Sequence, residues 1–265
     1  MNLFSAEVDI LWPALIAGIL VVISHVPLGQ QVLARGIVFI DLAIAQVAGL
    51  GVIAAHRFGV GVGGWTTQLA AVAAALAGSL LLTWTERKRP EVQEALIGIL
   101  FVLASTAQIL VLANDPHGGE DLKDLLAGQI LWVSTEQLVR TAVVTAIFVG
   151  VWFLWRERIG RTGFYVLFAL MVTAAVQLVG VYLVFTSLIV PAVATYRHAP
   201  NRQLLIGYGL ALASYLAGLA ASVVTDLPSS PVIVWAMALI GLLVHLSGNR
   251  RNAGDARSRE SSRAP

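Results

Sequence analysis

The chain contains no cysteine. That absence excludes a disulfide framework, a thiolate metal site and a cysteine nucleophile. Charge is also scarce: Asp, Glu, Lys and Arg make up 12% of 265 residues, about half the ~25% of a soluble domain. No Gly-rich phosphate loop, Ser/His/Asp set or paired-carboxylate site is present, so the sequence does not read as an enzyme. No pair of the five histidines has an HxxxH or similar ligand spacing. Alternating polar and apolar residues are missing too, which argues against a β-barrel. The net charge of +2 comes from short basic clusters between apolar stretches. That pattern fits membrane topology better than a nucleic-acid-binding face.

Hydrophobic residues fill the space: 58% of the chain, with a mean hydropathy of +0.82. Apolar runs long enough to cross a bilayer, about 17–25 residues, fall at 10–26, 37–56, 66–85, 95–113, 138–155, 164–183, 203–224 and 231–247. The segment before the first run lacks the basic start of a cleaved leader, so that run reads as a retained span. Tryptophans fall near predicted span ends, as in an interfacial belt.

Loop charge predicts the orientation. Basic clusters at Arg87–Arg89, Arg156–Arg161, Arg197 and Arg202, and the Arg-rich tail after Gly248 belong on the cytoplasmic side. The loop with Asp115, His117, Glu120, Asp121 and Asp124 leans acidic and falls outside, as does the N-terminus. Residues 162–196 carry no charge, yet both flanks are basic. The chain must therefore cross outward and return, and 184–196 is too short for a straight span. A short, broken or re-entrant helix is expected there, interrupted at Pro191 and lying beside a pore or the bundle centre. The expected fold is thus all-α: a polytopic membrane bundle of about eight full spans plus that short element. Residues 1–247 form a single transmembrane domain, and 248–265 a disordered basic tail.

Polar residues within spans are candidate functional groups, because they are expensive in lipid. Asp41 and Gln46 lie in the second span. Five residues apart, they point about 140° from each other on a helix, too far round to chelate one ion easily. Asp41 could instead sit at the membrane edge, paired with Arg35 or solvated, and Gln46 could serve as an interhelical hydrogen bond. Glu94 opens the fourth span, as a helix N-terminal acid or a partner for the basic cluster nearby. Small residues of the third span, among them Ala73, Ala74, Ala75, Ala77 and Gly78, suit a dimer face or close packing within the chain.

Four segments in order resemble the permeases of zinc, manganese and iron ABC importers. They are Pro27-Leu28-Gly29 with Val32–Arg35 and the small-residue helix ending at Gly51, Glu94–Gly98, Leu126–Leu131 with Val133-Ser134, and Val179–Leu183 with Ser187–Ala192 and Thr195. Asp226–Val234 is similar to the family's penultimate turn. The resemblance covers roughly 12–247. It implies a homodimer of permeases around a central pathway, driven by a separate cytoplasmic ABC ATPase and supplied by an extracytoplasmic metal-binding protein. A divalent cation, zinc or manganese, would be the substrate, ATP would act only through the partner subunit, and no cofactor would be covalently held. The site would be the bacterial-type cytoplasmic (inner) membrane. Gly180 and Pro191 would form part of the pathway wall, with Asp41 and Gln46 its nearest polar residues and Asp41 its candidate metal contact.

The sequence departs from the family in two places. An ungapped alignment puts Leu42 and Gln46 where the family has the Asp and His of an Asp-x-x-x-His pair. The loop after the fifth span is also short, leaving Arg156, Glu157, Arg158 and Gly160 as the remnant of the helix that docks the ATPase, or as a plain topology-setting loop. These departures keep two other readings open: an ATP-independent carrier or channel with the permease fold, and a non-transporting membrane scaffold.

Overall fold

The computed structural model describes residues 3–57, 65–113, 115–128, 130–155 and 158–261. Among them are ten α-helices, two single turns of 3-10 helix at Pro90–Val92 and Ile130–Trp132, and no strand. The helices are α1 Leu3–Arg35, α2 Ile40–Arg57, α3 Trp65–Lys88, α4 Gln93–Leu112, α5 Gly118–Ala127, α6 Thr135–Trp155, α7 Arg161–Val179, α8 Val181–Thr195, α9 Pro200–Thr225 and α10 Ser229–Ser261. Seven described segments are long and apolar enough to cross a membrane, and they fall within α1, α2, α3, α4, α7, α9 and α10. Helix α6 adds 21 residues at the expected fifth span. The expected polytopic helical bundle is what the chain forms.

Helix α7 is the axle of the bundle. In its crossing segment 72% of residues are buried, against 17% in α4, so α4 lies at the periphery. Phe164, Tyr165 and Phe168 of α7 are essentially inaccessible; the Phe164 ring stacks on Phe168 and meets Tyr165 edge-on. α7 packs on α1, α2, α3, α6 and α8. The small residues of α3 are used inside the chain: Gly78 faces Val47 and Ile44 of α2, and Gly51 of α2 sits against Ala70 and Ala74 of α3. Ala75 and Gly78 are buried, and Ala73 and Ala77 are exposed. Close α2–α3 packing therefore accounts for much of that stripe.

Two features differ from the sequence expectation. The first span does not end before Pro27, because α1 continues through it to Arg35. A helix-interior proline leaves the carbonyl four residues back without its usual donor. That carbonyl, on Ile23, accepts a hydrogen bond from the Tyr208 hydroxyl of α9 at 3.2 Å. The second is the position of the break in 162–196. Helix α8 is short, 15 residues, but it continues through Pro191. The interruption lies at Gly180, between α7 and α8.

Gly180 has φ +82° and meets the backbone of Ala127 and Gly128, which itself has φ +69°. No side chain fits at this crossing, and both backbones occupy the left-handed region that glycine tolerates. The last carbonyl of α7, on Val179, accepts a bond from the Ser230 hydroxyl of α10 at 3.3 Å. Helix α10 carries its helical bounds to Ser261, into the stretch where the sequence predicts disorder.

Substituting Gly180→Ala adds a left-handed strain of about 1–2 kcal/mol to a direct collision with Gly128. The expected result is a clear fall in the thermal unfolding midpoint of the detergent-purified protein. Gly98, with open space around it, is the control: Gly98→Ala should raise stability by about 0.5–1 kcal/mol.

Candidate functional site

Leu42, Gln46, Gly49, Ile53 and His56 fall within an arc of about 80° on α2, at 100° per residue. This face turns toward α4, α5 and α7 and carries Gln46 and His56. Gln46 is 3% exposed and Gln108 of α4 is fully buried. The Gln108 Nε2 donates to the Gln46 carbonyl oxygen at 2.7 Å and to Gln46 Oε1 at 2.8 Å. The Gln108 Oε1 has no hydrogen-bond partner. A Cβ placed on Gly49 would lie 3.4 Å from both terminal atoms of Gln108, so the amide sits directly behind that glycine.

Gly49 opens onto a cavity of about 430 Å³. Its walls are Val52, Ile53 and His56 of α2, Thr67 of α3, Asp124 and Leu125 of α5, Gln137 of α6 and Val176–Leu178 of α7, closed by Gly128, Trp132 and Val133. Thr67 Oγ1 and His56 Nε2 lie 3.4 Å apart. The Gln177 Nε2 is buried without a partner. A small pocket beside the cavity, about 30 Å³, is lined by Gln68, Gln137, Arg140, Thr141 and Gln177 among others. The cavity lies within one chain, at the end of the bundle that holds the acidic loop.

Local sequence explains how these walls are held. Helix α5 stops at Gly128, whose positive φ turns the chain against Gly180. Helix α6 begins with a capping box: Ser134 Oγ accepts from the Gln137 N–H at 3.2 Å, and Gln137 Oε1 accepts from the Ser134 N–H at 2.9 Å. Gln137 is thereby fixed where it lines the cavity.

The predicted site residues part company in space. Gln46 lies behind the cavity floor, and its hydrogen bond is interhelical. Gly180 adjoins the cavity through Gly128. Pro191 is buried in α8 and packs toward Gly207 of α9, away from these walls. Asp41 is 1% exposed and neither carboxylate oxygen has a hydrogen-bond partner. Pairing with Arg35 and solvation are both ruled out within the chain: the Arg35 guanidinium lies 4.1 Å over the Phe164 ring instead. Among the described residues no group of three or more His, Cys, Asp or Glu is placed to hold a metal ion. Gln108, Gln137 and Gln177 were not singled out in the sequence, although an amide within an apolar span is itself a signal.

At the opposite, basic end, Glu94 Oε1 accepts from the Phe39 N–H at 3.2 Å and ties the α1–α2 turn to α4. Gln93 donates to the Leu82 carbonyl and to the Tyr165 hydroxyl, and accepts from Thr85. Arg161 pairs with Glu86 at 3.4 Å, and Arg87 donates to Thr162. Of the expected coupling loop, Arg158 and Gly160 are exposed, while Arg156 and Glu157 lie outside the described residues. The bounds of α6 and α7 leave 156–160 between them.

A polytopic bundle of apolar helices, with a cavity of mixed lining at one end and a buried amide pair behind its wall, has the build of a membrane transport protein. The profile of the ABC 3 transport family matches residues 7–164 and 156–247, and the chain belongs to that family. It is a multi-pass permease rather than an enzyme, consistent with the motifs that resemble the family. Among curated relatives, the high-affinity zinc uptake system membrane protein ZnuB of Haemophilus influenzae is 22% identical over 256 residues, which cover 89% of this chain and 96% of that protein. Among solved structures, PsaBC from Streptococcus pneumoniae in complex with Fab matches with a TM-score of 0.73 at 21% identity, over 91% of this chain and 95% of that one. An inward-facing transporter assigned to the metal-chelate ABC type matches at 0.69 and 17%, over 95% and 90%.

The amide pair makes a stability prediction. Gln108→Leu leaves the Gln46 side chain without its donor and should destabilise the protein by about 1–3 kcal/mol. The double substitution Gln46→Leu/Gln108→Leu removes both polar partners and should recover most of that loss. Thermal unfolding of the three proteins in one detergent checks the order. A double variant less stable than Gln108→Leu would show that the pair is not a simple interhelical tie.

Proposed function

We propose that this chain is the membrane-spanning subunit of an importer for a divalent metal, zinc or manganese, driven by a separate ATPase and fed by an extracytoplasmic binding protein. The observation that carries the reading is the cavity beside α2, with the buried Gln46–Gln108 pair behind its wall residue Gly49, in an otherwise apolar bundle of this family. Polar groups at that depth are expensive unless a pathway or a partner uses them. The zinc-uptake relative and the metal-chelate transporter support a metal as cargo.

The orientation follows from charge. The basic end, with Arg87, Arg158 and Arg161, is cytoplasmic by the positive-inside rule, and the cavity then faces the extracytoplasmic side of a bacterial-type inner membrane. Delivery by a binding protein at the cavity mouth and coupling at the basic end are both compatible with that orientation. The active unit is a homodimer, with each subunit carrying its own cavity. Asp41 is the remaining polar group along α2, on a different face, and its unpartnered carboxylate suits a cation or a donor supplied during transport.

A second reading is favoured by one feature, the five-residue connection 156–160. A permease without a docking helix there could work without ATP. Co-purification with the ATPase encoded nearest to it, followed by ATP hydrolysis in nanodiscs, separates the two. The importer reading expects a stable complex whose hydrolysis rises severalfold with metal-loaded binding protein, and expects Arg158→Glu to weaken the complex. No complex with any candidate ATPase, alongside metal uptake into ATP-free vesicles, would favour the carrier.

A further inference from the structure

We infer that the passage along α2 recognises a metal ion through the hydrogen-bonding shell that the ion carries with it, water or chelator, with Gln46 and Gln108 setting this specificity from outside the metal's coordination sphere. The inference rests on the importer reading and adds the form in which the metal travels.

The donor chemistry points this way. Gln108 commits its Nε2 to Gln46 twice, which fixes the orientation of its amide. Its Oε1 is then left as a fully buried acceptor with no partner. A neutral carboxamide oxygen is a poor ligand for zinc beside imidazole, thiolate or carboxylate. It is a full hydrogen-bond acceptor for a metal-bound water, an amine or a hydroxyl. A divalent ion that sheds its shell must gain several ligands in exchange, and no group of three His, Cys, Asp or Glu stands ready among the described residues. Asp41 cannot complete such a set with Gln46, since the two point about 140° apart on α2.

The space agrees. Six waters occupy roughly 180 Å³ at about 30 Å³ each, and the cavity measures about 430 Å³. Its polar lining is Gln137, Gln177 and Thr67 with His56 and Asp124. Gly49 is the wall residue between the cavity and the amide pair. A Cβ there would come within 2.6 Å of Leu125 Cδ2 and within 3.4 Å of the Gln108 amide. A single neutral hydrogen bond is a weak hold, so the ion can move on from this point.

An exchange-inert complex provides the test. Hexaamminecobalt(III) keeps its six ammonia ligands and can offer only hydrogen bonds, whereas labile cobalt(II) can accept protein ligands. Uptake of radiolabelled zinc and manganese is measured in cells expressing the protein with its neighbouring ATPase and binding protein. Two results support outer-shell recognition: competition by a 100-fold excess of hexaamminecobalt(III), lowering uptake at least fivefold, or one-to-one entry of labelled citrate with zinc supplied as its citrate complex. The first assigns the shell to water, the second to a chelator. Competition by labile cobalt(II) alone, with no citrate entering, overturns the inference and leaves the importer reading intact. Absence of any metal-dependent uptake sinks both. Gln46→Leu/Gln108→Leu, the variant expected to keep its fold, should lower uptake at least tenfold. If it melts like the native protein and transports at the native rate, the two glutamines do not set specificity. Should it melt early, Gly49→Val, which fills the approach to Gln108, is expected to give the same tenfold loss, and native uptake by that variant equally overturns the assignment.

Discussion

Hydrocarbon offers no hydrogen bonds, so every polar group that enters it must find its partner within the protein. An unsatisfied backbone or amide group there costs several kcal/mol. This constraint accounts for the details of the bundle as well as for its helices. Pro27 frees a carbonyl on Ile23, and Tyr208 from α9 satisfies it. The chain breaks at Gly180, and Ser230 from α10 reaches the Val179 carbonyl. Ser24 and Thr195 fold their hydroxyls back onto carbonyls of their own helices. The irregularities at Pro27 and Gly180 are each matched by a side chain from elsewhere in the sequence, so these two points are also points where distant helices are fastened together.

Against that background, the groups left without partners take on meaning. Gln108 Oε1 and both Asp41 oxygens are among the buried atoms without a hydrogen-bond partner, as is Gln177 Nε2 beside the cavity. For Gln108 the reason is geometric. Its amide nitrogen is used to clasp α4 to α2, and both ends of the amide lie against Gly49. Half of the amide closes the helix pair, and the oxygen is left without a partner. Asp41 has no such division of labour, since it makes no hydrogen bond and the nearby cation, Arg35, is engaged with an aromatic ring.

The helices were legible because lipid enforces length and composition. Runs of apolar residues gave the crossings to within a few residues at α2, α3 and α4, and charge parity required the chain to go out and back between Arg161 and Arg197. The signals that failed were non-local. Pro27 reads as a helix end because the sequence around it does not reveal Tyr208, 181 positions later. Pro191 reads as an interruption of the returning helix because proline is the louder breaker, whereas α8 absorbs it and the chain breaks at Gly180, where it crosses Gly128. Helix α5 went unread since ten amphipathic residues look like an acidic loop. The start of α6 could have been read from Ser134 and Gln137, which have capping-box spacing. The partner of Gln46, by contrast, stands 62 positions away with no periodicity to announce it.

The family fold and the local chemistry therefore answer separate questions. Membership in the ABC 3 transport family fixes how the helices are arranged, and that arrangement would accept several kinds of polar lining on the same face of α2. What this chain presents there is a neutral amide pair held by hydrogen bonds rather than a carboxylate and an imidazole. A charged pair in a buried span needs a cation or a proton to offset its desolvation whenever the pathway is empty. An amide pair carries no charge, so it remains stable empty, and it exerts a correspondingly weak pull on a passing ion. An amide pair at this position is therefore stable with nothing bound, and what it can offer a ligand is hydrogen bonding rather than charge.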